Sequence, residues 1–132
     1  MIHTGSCLCD GVQFRLIGPL EPIQICHCAQ CRKAQGSAFA ANIPVAATAF
    51  ELISGAALLV RYASSPGKAR VFCGQCGSPV FSQRDAAPET LRVRAGLIDG
   101  PLKLPLSSHA FTASKADWWT ITDTLTQHPG PR

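Results

Sequence analysis

A small, mainly β protein with little helix is what this sequence predicts, on three observations. The chain has 132 residues, about one domain's worth. It contains 11 Gly and 10 Pro, with 46% hydrophobic and only 15% charged residues. That mix suits a turn-rich core, not a helical bundle or a disordered tail. The apolar runs are strand-sized and separated by clusters of Gly, Pro, Ser and Asp.

Ile2–Ser6 and Val12–Leu16 read as strands flanking Asp10-Gly11, a pair that favours a tight reversal. Gly18-Pro19 ends the second strand, and Ile23–Cys26 reads as the third. Cys28–Gln35 carries helix formers such as Ala29, Gln30 and Arg32 and stops at Gly36, predicting one short helical turn. Strand-like runs follow at Ala38–Ile43, Phe50–Ile53, Leu58–Tyr62, Ala69–Phe72, Pro79–Ser82 and Leu91–Ala95. Within the last of these, Arg92-Val93-Arg94 alternates as a half-exposed strand does. Ser54-Gly55, Ser64–Gly67, Arg84–Pro88 and Asp99–Pro101 supply the turns, and this spacing implies an all-β sheet assembly. Asp117–Thr122 is predicted as a small helical turn and Gln127–Arg132 as a loose tail. No repeat or internal boundary interrupts the chain, so residues 1–126 are expected to form one domain with 127–132 as its tail.

Met1–Ser6 has no basic stretch leading into an apolar run, and no stretch approaches ~18 unbroken apolar residues. Neither a secretory signal nor a membrane span is expected, and the predicted location is cytoplasmic, where thiols stay reduced. Seven cysteines in a reducing compartment point to metal, and their odd count weighs against disulfides. The formal net charge of +4 raises the question of an acidic partner. Seven thiolates and two Zn(II) ions would lower it to +1. The twelve Lys and Arg residues are scattered along the chain, with no cluster interleaved with aromatics, which weighs against nucleic acid.

The cysteines fall as Cys7-x-Cys9, Cys26-His27-Cys28-x-x-Cys31 and Cys73-Gly74-Gln75-Cys76-Gly77. The last has the form of a zinc knuckle, a tight turn whose two sulfurs face one point. A closed structural zinc needs four ligands, so the knuckle pairs either with Cys7/Cys9 or with two of the middle three. Matching two with two leaves three, the ligand set of a zinc with an open position. The second site can instead be closed by His27, His109 or a distant residue. His27, between two cysteines of an extended segment, is expected to point away from their sulfurs as a packed or supporting group. Arg32 and Lys33 follow Cys31 and either temper the thiolate charge or are ordinary solvated side chains. Thiolates bind iron as well as zinc.

Gly5-Ser6-Cys7-x-Cys9, then Cys26-His27-Cys28-x-x-Cys31-Arg32, then Phe72-Cys73-Gly74-x-Cys76-Gly77, in this order, resemble the family of glutathione-dependent formaldehyde-activating enzymes, which includes centromere protein V. The stretch His109-Ala110-Phe111-Thr112-x-Ser114-Lys115-Ala116-x-Trp118-Trp119 continues the likeness. The resemblance implies a β-tent fold of small antiparallel sheets around structural zinc. It implies a structural zinc on Cys7, Cys9, Cys73 and Cys76, and a catalytic zinc on Cys26, Cys28 and Cys31 with an exchangeable fourth ligand. It implies a carbon–sulfur lyase that interconverts glutathione plus formaldehyde with S-hydroxymethylglutathione. The sequence departs from the family pattern at Asp10, Asp117, Thr124 and Thr126, none of them a cysteine position. Arg32, Lys33, Arg61 and Arg70 are candidate partners for the two carboxylates of glutathione. Trp118 and Trp119 are expected to close a core or an interface. The competing reading is a non-catalytic zinc module for protein or nucleic-acid partners.

Overall fold

The short apolar runs become ten strands and one helix in a computed structural model that describes residues 1–132. The strands are β1 (Ile2–Ser6), β2 (Gln13–Ile17), β3 (Ile23–Cys26), β4 (Ala40–Ala46), β5 (Phe50–Ser54), β6 (Leu59–Ser65), β7 (Lys68–Cys73), β8 (Pro79–Arg84), β9 (Ala87–Arg94) and β10 (Leu106–Ala110). The helix, α1 (Ala29–Gln35), ends at Gly36, whose φ of 61° caps it in the left-handed conformation. None of the helices is long and apolar enough to cross a membrane.

The strands form a three-stranded sheet, β1-β2-β5, and a seven-stranded sheet, β10-β3-β4-β9-β8-β7-β6. The core lies between them. Phe14 and Leu16 from the small sheet, with Val12 just before β2, meet Ile43, Val45, Val80, Leu91 and Val93 from the large one, and Cys7 and Cys73 are buried in the same cluster. Fully burying such apolar side chains contributes roughly 1.5–3 kcal/mol each. Gly5 is opposite Phe14 on β2, and a Cβ there would lie 2.2 Å from the ring, so only glycine leaves room for it. Phe14 stacks on Phe50 with centroids 5.0 Å apart.

Period-2 alternation gives the large sheet two different faces. Phe81, Val93 and Ile43 stand in register across β8, β9 and β4 and face the core, and Val71 of β7, paired with Phe81, is buried outside that cluster. Arg70, Ser82 and Arg92 form the neighbouring row, so they project from the opposite face, with Lys68 beside Arg84 and Asn42 beside Arg94.

Three features differ from the sequence reading. Leu106–Ala110 is a strand, β10, and it runs parallel to β3, so the large sheet is not purely antiparallel. Asp117–Thr122 is not helical: Asp117 and Trp118 form a bare turn, and the nearby 3-10 turn spans Thr112–Ser114. Trp, Thr and Asp are mediocre helix formers, and so short a segment cannot offset the cost of nucleation. The last residues are not loose. The Thr126 carbonyl accepts from His109 N–H at 2.9 Å, and Gly130 from Phe111 N–H at 2.9 Å. The Arg132 guanidinium donates to Ile25 O at 3.0 Å. The strap uses backbone groups that edge strand β10 would otherwise leave free.

Candidate metal centres

The first cysteine cluster is built by two turns. The knuckle closes through Gly77 N–H to Cys73 O at 2.7 Å and Cys73 N–H to Ser78 O at 2.9 Å. The β1–β2 turn closes through Cys7 N–H to Val12 O at 3.0 Å. Together they bring the sulfurs of Cys7, Cys9, Cys73 and Cys76 within 4.8 Å of one another. Zn–S bonds arranged tetrahedrally set sulfurs about 3.8 Å apart. The Cys7–Cys9 and Cys9–Cys73 separations are 3.5 and 3.8 Å, so this donor set fits a zinc-sized ion. Val12 N–H donates to Cys7 Sγ at 3.2 Å and the Gln75 amide to Cys9 Sγ at 3.3 Å. Burial pushes the Cys7 thiol up to about 11, whereas the Ser78 hydroxyl beside Cys76 brings that thiol down to about 5. A thiol whose ionisation is resisted by burial ionises most readily against a metal cation.

The second cluster sits where β3 passes into α1. Cys26 ends the strand, Cys28 is the helix N-cap with its sulfur accepting Cys31 N–H at 3.2 Å, and Cys31 lies in the first turn. The three sulfurs are within 4.8 Å of one another, and no His, Asp or Glu atom joins them at that range. The three thiols share their charge unequally. Donation from Cys26 and Cys28, with the Arg70 guanidinium adding, holds Cys31 far below the usual thiol range. Cys26 is driven far above it, by Cys28 first.

The two histidines that could have closed this site face each other instead. His27 Nε2 lies 2.8 Å from His109 Nδ1, and His109 Nε2 lies 2.9 Å from Asp123 Oδ2. His27 is fully buried, and burial depresses its pKa below the ordinary value of 6.5. Phe39 packs edge-on against it and meets Trp119 in turn. Trp118 is 68% exposed and closes no core.

The three sulfurs open on a cleft of about 430 Å³ lined by Lys68, Arg84, Arg92 and Arg132, with no Asp or Glu. Behind the sulfurs, Arg70 Nη2 lies 3.6 Å from Cys31 Sγ, and Arg94 donates to Asn42 Oδ1 at 2.6 Å and Gln35 Oε1 at 2.9 Å. Neither buried arginine has a carboxylate partner. Four of the twelve basic residues, scattered along the chain, therefore line the cleft, and Arg70 reaches Cys31 from a neighbouring cavity that it lines with Arg94 and Lys33. Of the four cations read from sequence as carboxylate partners, only Arg70 approaches the sulfurs. Arg61 donates to Gln83 at 2.9 Å, Lys33 lines a separate cavity beyond α1, and Arg32 does not line the cleft. Sequence reasoning missed Lys68, Arg84, Arg92 and Arg132. The signal for the strand residues was the alternation Lys68-Ala69-Arg70 and Arg92-Val93-Arg94, readable only once strand register is known.

Residues 2–114 match the family profile described as glutathione-dependent formaldehyde-activating enzyme. A Halomonas elongata protein named "Putative glutathione-dependent formaldehyde-activating enzyme" is 33% identical over 130 residues, covering 92% of this chain and 82% of that protein. An "uncharacterized lyase" of Schizosaccharomyces pombe is 25% identical over 121 residues, covering 92% of this chain and 86% of its own. The crystal structure of a Rhodobacter sphaeroides protein superposes with a TM-score of 0.63 at 23% identity, over 79% of this chain and 99% of that one, a likeness of fold.

Proposed function

Since the chain belongs to the glutathione-dependent formaldehyde-activating enzyme family, we propose that it is a zinc-dependent carbon–sulfur lyase acting on the adduct of a thiol, glutathione, with formaldehyde or a related aldehyde. The observation that carries this reading is a set of three clustered sulfurs with no fourth protein ligand, opening on a cleft. In this reading Cys7, Cys9, Cys73 and Cys76 hold a structural zinc, while Cys26, Cys28 and Cys31 hold a catalytic one, two ions per chain. Zinc held by three thiolates would supply an open position at which a substrate thiol loses its proton near neutral pH.

The protein's own groups prepare that position. Cys28 is fixed by its capping bond to Cys31 N–H, which sets the spacing of two ligands. Arg70 stands behind Cys31 and offsets thiolate charge without occupying the open side. Phe111 and Pro131 form an apolar wall of the cleft that limits competing water. In the forward direction the substrate sulfur forms a bond to the aldehyde carbon, the C=O π pair moves onto oxygen, and that oxygen takes a proton. The thiol's own released proton balances it. The reverse breaks the same C–S bond, and no oxidant or reductant enters. A cytoplasmic location belongs to the same proposal, because both thiolate sets need a reducing compartment.

The test pairs elemental analysis with exchange-rate NMR on ¹³C-formaldehyde and glutathione. Two zinc ions per chain and faster exchange are expected. Cys31→Ser should lose one ion and the acceleration while keeping its thermal transition. A protein carrying two zinc ions that leaves the exchange rate unchanged would sink the proposal.

A further inference from the structure

We infer that the cavity beyond α1 is a second binding site, one that takes a small molecule with a single carboxylate on an apolar, ring-sized body. The site is separate from the three-cysteine cleft, since Gln30 alone is common to the two linings. Its ligand needs neither thiol nor metal, so the inference goes beyond the reading of the cysteine set and stands apart from it.

The charged end is set by two arginines. Arg70 and Arg94 are each more than nine-tenths buried, and both line this cavity. Arg70 Nη2 donates to Gln30 Oε1 at 2.9 Å and lies 3.6 Å from Cys31 Sγ, while its Nε and Nη1 have no acceptor. Arg94 donates from Nε and Nη1, and no protein atom accepts from its Nη2. Unused N–H donors on a buried cation are unfavourable, and the lining holds no Asp or Glu to meet them. Burial brings Arg94 down to about 10; Cys31 opposes that fall and Arg70 adds to it, so the two guanidiniums share one field.

Charge sets the number of acids. Three thiolates around one Zn(II) carry −1, which Arg70 offsets from its place beside Cys31. Arg94 is left over, and one carboxylate balances it. A guanidinium presents a planar fork of donors, and a carboxylate is the acceptor that matches a planar fork. Lys33, exposed in the last turn of α1, adds a solvated cation at the same cavity.

The remaining walls are apolar. Ala34 of α1, Tyr62 of β6, Val71 and Phe72 of β7 and Pro79 of β8 supply them. The volume of about 430 Å³ falls in the range of small-molecule sites, roughly 300–1,000 Å³. An inorganic anion would leave these walls uncovered, and glutathione, polar or charged along its whole length, does not suit them. A carboxylate on an aromatic or branched hydrocarbon body satisfies both ends.

The test is a ¹H–¹⁵N NMR titration of the zinc-loaded protein with three probes: 2-naphthoate, its neutral carboxamide and acetate. 2-Naphthoate should bind saturably with a Kd of about 1 mM or tighter, shifting the amides of Tyr62, Phe72, Gly77 and Arg94. The carboxamide, which lacks the charge, and acetate, which lacks the body, should each bind at least tenfold more weakly. Arg94→Gln should weaken 2-naphthoate about tenfold. Should that buried substitution prevent folding, Tyr62→Ala and Lys33→Gln, both at exposed positions, should each weaken it several-fold. A carboxamide that binds within twofold of 2-naphthoate overturns the inference. So does a naphthoate whose shifts fall on Arg84, Arg92 and Phe111 of the cysteine cleft, and so does the absence of saturable binding.

Discussion

His27 Nε2 lies 2.8 Å from His109 Nδ1, which ties the residue between two cysteine ligand candidates to β10 and, through Asp123, to the C-terminal strap. His109→Ala would leave a fully buried imidazole with neither ring nitrogen partnered, since His27 Nδ1 already lacks a partner. The expected loss is about 1–3 kcal/mol, read from urea unfolding of the metal-loaded protein. No change in midpoint would show that the pair contributes nothing to stability.

Acid should weaken the fold through the same imidazole. The folded state holds the His27 pKa below its ordinary 6.5, chiefly through burial. Between the two values the unfolded chain binds more protons, so stability is fully present above 6.5 and falls as pH drops through the folded value. Imidazole NMR should show His27 neutral at a pH where an unfolded-chain histidine is half protonated. A His27 titration midpoint at or above 6.5 contradicts this.

Arg70→Leu removes the only guanidinium within reach of Cys31 Sγ. Ligand-supporting groups of this kind typically account for ~10–100-fold in metal affinity. Chelator competition should show that loss at the three-cysteine set and none at Cys7, Cys9, Cys73 and Cys76. Equal weakening at both sets would mean that the substitution acts through general destabilisation.

Metal removal should have unequal effects. Cys7 and Cys73 are part of the core between the sheets, so stripping their set should abolish the cooperative unfolding transition. Cys76→Ser should do the same, while Cys31→Ser should shift the transition only modestly. Circular dichroism during stepwise chelation separates the two phases, and a single phase would argue against distinct sites.

Gly5→Ala places a methyl 2.2 Å from the Phe14 ring. Overpacking of this kind costs about 1–3 kcal/mol, measurable as a lowered urea midpoint. Phe14→Leu in the Gly5→Ala background should recover part of the loss by shortening the opposing side chain.

Much of this structure was legible in the sequence, and what was not has physical causes. Ile2–Ser6, Ile23–Cys26 and the Gly36 stop were readable because local signals, apolar runs and a left-handed cap, decide them. The cysteine groups were readable because chelating turns are local. Leu106–Ala110 was not, since Ser107, Ser108 and His109 lack strand propensity and β3 holds them by tertiary pairing. The strap at Thr126–Arg132 is likewise held by a distant edge strand. The basic cleft was hidden because its residues come from three strands and the strap, and only register shows that Lys68 faces Arg84.

The two-faced sheet also bears on how such a protein can diverge. In Arg92-Val93-Arg94 the outer residues face the cleft side and the middle one fills the core. Selection on ligand preference and selection on foldability therefore act on alternate letters of the same strand. Mutational drift at positions 68, 84 and 92 can change the charge of the cleft, while positions 43, 80 and 93 are held nearly still by packing. A lineage of this architecture can change what its cleft admits without passing through unstable ancestors.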